Sequence, residues 1–448
     1  MIQTTTVHVG LVPLARTTFD IELATQVVAQ VRSRLEEAEF ALTGPQDLVT
    51  SMDQAQQVAQ ALADDPPDLL LVFQATFADS TMVMHLAEKV DAPLLLWAVP
   101  EAPTGGRLRL NSFCGINLAG HALTRGGHRY DYVYAAPDDP STLAPVRTLA
   151  LAGRARRRLR SARIGRVGEN PTGFEPCQVN PDALKRRFGL QVVQLNLDQV
   201  FQAARAVPGA KVDAVLQNLD ARLEDLEQLD SSALRGTLSA YWALRQFAEQ
   251  ERLDGLAVRC WPEFFTELGC AACGAMSMLS DELTPCSCEA DVNGTVTQLI
   301  LQSLSGEPAF GSDLVAMDTD KDQSVLWHCG LAPLSMADPT VPPRGTIHSN
   351  RNLPLLMEFP LKPGRITIAR LSEATGDYRL VVGGGEILRA PLSFSGTSGV
   401  LRFDRPAAQV LDTILQEGLD HHFCLTYGDY VASLLALAEM LDLPVLRL

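Results

Sequence analysis

A chain of 448 residues has room for two or three domains, and its 46% hydrophobic and 20% charged residues are those of a globular protein with a sizeable core. The formal net charge of −16 argues against a nucleic-acid partner, which would need a basic face. Every apolar run is broken by Arg, Asp, Gly or Pro before it reaches membrane-spanning length, so no membrane partner is expected either.

The N-terminal stretch MIQTTTVHVGLVPLA lacks the charged start and long apolar core of a secretory leader, which makes the cytoplasm the default location. The nine cysteines, an odd count in a chain too large to need staples, then read as reduced thiols. Residues 1–150 alternate strand and helix signals. Strands are expected at Thr6–Leu14, Glu39–Thr43, Asp68–Phe73 and Pro93–Val99, with helices at Phe19–Glu37, Asp53–Ala63 and Ser80–Val90. Such alternation implies a doubly wound parallel sheet, whose ligands meet the carboxyl ends of the strands. The loops there carry Arg16, Thr18, Gln74 and Thr76.

A basic run from Arg154 to Arg166 reads as a solvated helix face or an interdomain linker, with an anion site or subunit contact as the alternative. A second α/β series fills residues 151–304. It has strands at Ala162–Val167, Leu190–Leu197 and Gly255–Cys260, a helix at Pro181–Phe188 and a long polar helical region over Val212–Glu251. Residues 305–448 change to short strands with Gly and Pro turns, including Arg365–Arg370 and Tyr378–Val382. A helix at Tyr430–Met440 and a strand at Val445–Leu448 close the chain. The fold expected is α/β, with two doubly wound Rossmann-like parallel-sheet domains followed by a C-terminal antiparallel, barrel-like domain.

Chemistry concentrates between Cys260 and Gly330, with one more piece near the C-terminus. Glu289 and Asp291 precede an apolar-periodic helix at Val292–Leu304. A helix cap accounts for Asp291, whereas Glu289 lies outside the usual capping offset. Asp313 starts a strand in FGSDLVAMD, His328 lies in VLWHCG, and His421 and His422 lie in DHHFCLTYGDY. Carboxylates with one or two imidazoles suit a Mn, Mg or Co type ion, although each residue alone is as well explained by ordinary packing. Cys270, Cys273, Cys286 and Cys288 offer a rival, structural-zinc reading. The single-residue spacing of the second pair and the lack of turn glycines favour buried thiols instead. Gly383–Gly385 opens no helix after a parallel strand, and neither a nucleophile elbow nor a phosphate-cradling loop occurs.

The run CEADVNGTVTQLILQSLSGEPAFGSDL resembles the corresponding segment of the L-fucose isomerase family and, less closely, that of L-arabinose isomerases. In those families an acid before the helix and another beyond it bind a metal, which falls on Glu289 and Asp313. The run DHHFCLTYGDYVASLLALAEMLDLPV is similar to the family's C-terminal segment, where a His supplies the third ligand, here His422. His328 looks like a ligand of the arabinose isomerases, and Trp261 and Glu263 in CWPEF fall where the family has a substrate-facing strand end.

The resemblance implies a metal-dependent aldose–ketose isomerase working through a cis-enediol of an open-chain sugar, with Mn as the expected ion and Co or Mg as alternatives. Glu289 and Asp313 would share the proton transfers. Arg16, Gln74, Arg259 and Trp261 are the candidate sugar contacts, and Arg16 with the basic run makes an anionic sugar conceivable. A homo-oligomer is implied in the same way. The rival readings are a sugar-binding protein or scaffold without turnover, and the zinc protein.

Overall fold

The computed structural model describes residues 6–448, and the chain divides into two compact units, Met1–Arg157 and Arg158–Leu448. The first five residues, which open the stretch lacking a leader pattern, lie outside the described residues. In the first unit β1 (Val7–Leu14), β2 (Phe40–Thr43), β3 (Leu69–Gln74), β4 (Leu94–Ala98) and β5 (Asp131–Tyr134) form one parallel sheet in the order β2-β1-β3-β4-β5. The runs LLLVFQ and LLLWA of β3 and β4 are buried throughout, as strands covered on both faces must be. Helices Ile21–Glu37, Met52–Asp64 and Ser80–Lys89 begin at the side-chain caps Asp20, Ser51 and Asp79. A fourth helix, Ser112–Arg125, and β5 escape sequence reading. That helix buries mostly small residues, among them Gly115, Ala119 and Gly120, which carry little hydrophobic periodicity. β5 is an edge strand with only Val133 buried.

The second unit contains β6 (Arg163–Val167), β7 (Gln191–Leu195), β8 (Gly255–Val258) and the short β9 (Cys286–Ser287), parallel in the order β7-β6-β8-β9. Helix Pro181–Phe188 stands where expected. The long helical region expected over Val212–Glu251 is two helices, Gly209–Asp220 and Ser231–Gln250. The chain turns between them at Asp225, in the left-handed region at φ 66°, and restarts at the Asp230 cap. The basic run ends helix Leu143–Ser161 and continues into β6. Its arginines are committed to carboxylates: Arg156 to Asp91, Arg157 to Asp68, Arg158 to Asp254 and Arg166 to Glu169.

The remaining strands are β10 (Phe310–Asp318), β11 (Gln323–His328), β12 (Arg344–Thr346), β13 (Leu356–Pro360), β14 (Gly364–Ser372), β15 (Arg379–Leu388), β16 (Thr397–Phe403), β17 (His422–Tyr427) and β18 (Val445–Arg447). Six of them close an antiparallel barrel, β16-β11-β10-β17-β14-β15 and back to β16. Closure removes the sheet edges that would otherwise invite pairing with another chain. Helix Val292–Ser305 is buried up to Leu304 and packs against β8 as well as β14 and β17, so it joins sheet and barrel in one core.

Gly153, in helix Leu143–Ser161, has no room for a side chain: a Cβ would sit 1.9 Å from the Asp68 carbonyl oxygen and 2.7 Å from Pro93. Gly→Ala inside a helix ordinarily stabilises by about 1 kcal/mol. Here Gly153→Ala is expected to destabilise instead, by about 1–3 kcal/mol from overpacking, read as a lower midpoint in chemical denaturation.

Candidate active site and metal centre

Glu289, Asp313, His328, His421 and His422 come together in the second unit. Asp313 on β10 and His422 on β17 are directly opposed in antiparallel register, which puts their side chains on one face. His422 Nε2 lies 3.4 Å from Asp313 Oδ1 and 3.8 Å from Glu289 Oε2. Glu289 arrives on a tight turn in which it and Ala290 are both left-handed, at φ 59° and 54°. Such conformations in residues with a Cβ are sparsely populated and persist only where the surroundings enforce them.

The other ring nitrogen sets the protonation pattern. His422 Nδ1 is 2.9 Å from Asp291 Oδ2, and the carboxylate requires that nitrogen to carry the proton. A neutral His422 therefore turns its Nε2 lone pair toward Asp313 and Glu289. Asp313 Oδ1 is buried without a hydrogen-bond partner among the described residues. The His422 lone pair thus faces a carboxylate oxygen of each acid, and a buried Asp313 oxygen left without a donor costs free energy unless a cation meets it. Oxygen and imidazole ligands of this kind, backed by a carboxylate on the far side of the ring, suit a divalent metal. Among the described residues, the groups close enough together to share an ion are Cys177, Glu289, His421 and His422, and Asp313, His328 and His422, so His422 is the link between Glu289 and Asp313.

Asp291 is more than the helix cap read from the sequence. Its Oδ1 does accept the Gly294 amide at 2.8 Å, as a cap should. The same carboxylate takes two hydrogen bonds from Arg370, at 2.5 and 3.1 Å. Arg370 is fully buried and also binds Asp420 at 2.8 Å and the Pro176 carbonyl at 3.1 Å. Burial alone would raise the Asp291 pKa, but the Arg370 charge and the His422 contact hold it far below the usual carboxylate range. Sequence reasoning passed over Arg370 and Asp420. An arginine in the apolar strand segment RITIAR was the available signal.

Glu289 is hydrogen-bonded on both oxygens. Trp261 Nε1 donates to Oε1 at 3.1 Å, His421 Nε2 stands 3.2 Å from Oε2, and the Cys177 thiol lies 3.7 Å from Oε2. Desolvation works to raise the Glu289 pKa; the hydrogen bonds to His421 and Trp261 outweigh it and hold it below the usual carboxylate value. Burial and the neighbouring Asp291 and Glu289 push the Cys177 thiol up, so it remains a donor. His328 is differently arranged. The Cys329 amide donates to its Nδ1 at 2.8 Å, so a neutral ring carries its proton on Nε2. That tautomer gives His328 an Nε2–H donor to offer a substrate oxygen, while the ring stands close enough to Asp313 and His422 to share an ion with them.

The candidate sugar contacts divide. Trp261 faces the centre, with Phe174 packed edge-on at 5.3 Å between ring centroids. Arg259 is occupied: it binds Glu263 at 2.8 Å and the Glu169 carbonyl at 3.1 Å. Arg16 and Gln74 belong to the first unit, at the carboxyl ends of β1 and β3 where the strand order reverses. Arg16 is exposed, and the Gln74 amide group is buried without a partner among the described residues. The zinc reading fails on geometry. Cys273 contacts Cys329 at 3.3 Å, Cys288 neighbours Cys260, and among the described residues Cys270, Cys273, Cys286 and Cys288 enter no cluster able to hold an ion.

The comparisons agree with this architecture. Residues 10–145 match the family model for the fucose/sulfoquinovose isomerase N-terminal domain, and residues 356–448 that for the L-fucose isomerase C-terminal domain. Over 97% of its length the chain is 31% identical to a sulfoquinovose isomerase from Alkalicoccus urumqiensis, covering 98% of that protein. It is 32% identical to one from Priestia megaterium, over 96% of this chain and 97% of the relative. A periplasmic solute-binding protein from Actinobacillus succinogenes with bound D-allose aligns to 67% of this chain and 92% of its own at 10% identity; its TM-score of 0.19 is too low to bear on fold or function. The chain belongs to the fucose/sulfoquinovose isomerase family. It is a sugar aldose–ketose isomerase, an intramolecular oxidoreductase.

Arg370→Met removes the cation shared by two buried carboxylates. A loss of about 3–5 kcal/mol in folding stability is expected, measured by chemical denaturation. A change below 1 kcal/mol would mean the pair of acids is compensated elsewhere.

Proposed function

We propose that the protein interconverts an aldose and a ketose at a divalent cation held by Glu289, Asp313 and His422, through a cis-enediol of the open-chain sugar. The observation that carries this reading is the convergence of the His422 Nε2 lone pair with two carboxylate oxygens, one of them buried and unsatisfied. Mn is the ion we favour, with Co or Mg as alternatives, because oxygen-rich sites with a single imidazole suit these metals. When bound, such an ion supplies Lewis-acid polarisation of the carbonyl and compensates the negative charge that develops on the substrate.

The residues of the chain do the proton work. One of Glu289 and Asp313 accepts the proton from the carbon that loses it and returns it to the neighbouring carbon. The other manages the hydroxyl proton that moves in the opposite sense. Trp261 and His421 fix the Glu289 carboxylate by bonds to both oxygens, so its approach to the substrate is set in advance. His328 serves as a hydrogen-bond donor to a sugar oxygen rather than as a metal ligand. Asp291, anchored by Arg370, holds His422 in the tautomer that presents Nε2.

The relatives' names suggest the substrate: we take it to be sulfoquinovose or a related sulfonated aldose. The reading also includes a homo-oligomer in the cytoplasm, where the chain's unpaired cysteines would stay reduced.

Glu289→Gln is expected to abolish isomerisation while the far-ultraviolet circular dichroism spectrum stays that of the parent; retained turnover would exclude Glu289 from the chemistry. Asp291→Asn, which weakens the support of His422 but removes none of the proposed ligands, should lower Mn affinity by about 10–100-fold in a calorimetric titration. Chelator treatment should stop turnover and added Mn restore it.

A further inference from the structure

Arg351 is a feature of this neighbourhood that the isomerisation chemistry leaves unused. Its guanidinium carbon lies 4.9 Å from the Trp261 ring centroid and 5.2 Å from that of Phe265, so the cation is braced against two aromatic rings. Trp261 is the same side chain that donates to Glu289. Arg351 therefore stands one aromatic ring away from a residue assigned to the reacting carbons.

The loop that presents it is firmly tied. The His348 amide donates to the Leu353 carbonyl at 2.9 Å, and the Asn352 amide to the His348 carbonyl at 2.7 Å. Beyond it, the Pro354 carbonyl accepts from the Ala271 amide at 2.7 Å and the Leu355 amide donates to Thr237 Oγ1 at 3.0 Å. A half-buried arginine in so fixed a setting normally has a carboxylate beside it, as Arg259 has Glu263. Among the described residues Arg351 has none within ion-pair distance.

Its one side-chain polar neighbour is His348 Nε2 at 3.2 Å. That imidazole is buried, and burial together with the Arg351 charge pushes it down to about 4, so it is neutral. A neutral imidazole has a single lone pair, yet His348 faces two donors, Arg351 at Nε2 and the Asn350 amide at Nδ1, 3.2 Å away. It cannot satisfy both. Among the described residues no carboxylate and no other side-chain acceptor meets the guanidinium's remaining N–H groups, which suits a site built for an anion.

We propose that Arg351 forms an anion subsite that takes the charged group at the far end of the sugar, a tetrahedral oxyanion such as a sulfonate or phosphate, and so determines substrate class. This rests on the reading of Glu289 as part of the isomerisation centre. The aromatic brace fixes the fork, and two parallel N–H donors can then meet two oxygens of the anion. With the anion held at one end, the opposite end of the open chain is directed past Trp261 toward Glu289.

The test compares parent enzyme and Arg351→Gln, loaded with Mn, on a 6-sulfonated, a 6-phosphorylated and an unsubstituted aldohexose. The parent should prefer one of the charged sugars, and which one identifies the anion. The variant should lose about 100-fold of that preference in the ratio of kcat/KM values, the scale of a lost charge-assisted bond, with Arg351→Lys keeping part of it. An equal fall for charged and uncharged sugars would reduce Arg351 to a prop for Trp261 and overturn the proposal. So would a parent enzyme that prefers the unsubstituted sugar. Calorimetric binding of the 6-sulfonated and 6-phosphorylated sugars to Glu289→Gln, with and without Arg351→Gln, reads the subsite without turnover. A Kd about 100-fold weaker for either sugar in the double variant supports the subsite even if no sugar is isomerised, in which case the isomerase reading of the centre fails alone. Unchanged Kd values for both sugars sink the subsite whatever the turnover.

Discussion

The arrangement turns on the contact between Arg370, Asp291 and His422. A guanidinium with no solvent exposure would be prohibitively costly alone, and two buried carboxylates, Asp291 and Asp420, offset its charge. Asp291 then has three tasks at once: it caps helix Val292–Ser305, neutralises Arg370 and orients His422. The start of the helix and the direction of the imidazole lone pair are thereby one structural event. A substitution at any of the three should be felt by the other two.

The acids are positioned by different means. Asp313 and His422 are paired across adjacent strands of a closed barrel, where register leaves little freedom. Glu289 sits on two successive left-handed residues at the junction between the parallel sheet and the helix, held by Trp261 and His421. Left-handed φ at two residues bearing a Cβ costs on the order of 1–3 kcal/mol each. The packing around the turn offsets that, and a carboxylate is delivered to a point that a regular helix start would not reach.

Much of this was legible in the chain. Continuous apolar runs such as DLLLVF marked the buried parallel strands, and the helix signals between them marked the helices that alternate with those strands. The change to short, turn-rich strands after residue 305 marked a barrel-like part, though only pairing shows that β15 meets β16 and closes it. Helix Ser112–Arg125 was hidden because its buried face is made of small residues, and the break before Ser231 because polar helices on either side share one texture. At the site, Glu289, Asp313 and His422 could be singled out through the likeness of their segments to the L-fucose isomerase family, since residue type and spacing alone fit ordinary packing as well. Asp291 was read as a cap and nothing more, since a cap explains an aspartate before a helix so well. Arg370 and Arg351 were missed for a common reason. What distinguishes them is a partner gained or lacking in three dimensions, and spacing along the chain carries no trace of that.

The central claim is that two acids and one imidazole share a single divalent ion. Crystals grown with Mn and measured at the Mn absorption edge test it directly. One anomalous peak per chain is expected, within bonding distance of a carboxylate oxygen of Glu289, a carboxylate oxygen of Asp313 and Nε2 of His422, with His422 Nδ1 still on Asp291. A peak bound by other groups, or none at this point under conditions where the enzyme turns over sugar, would contradict it.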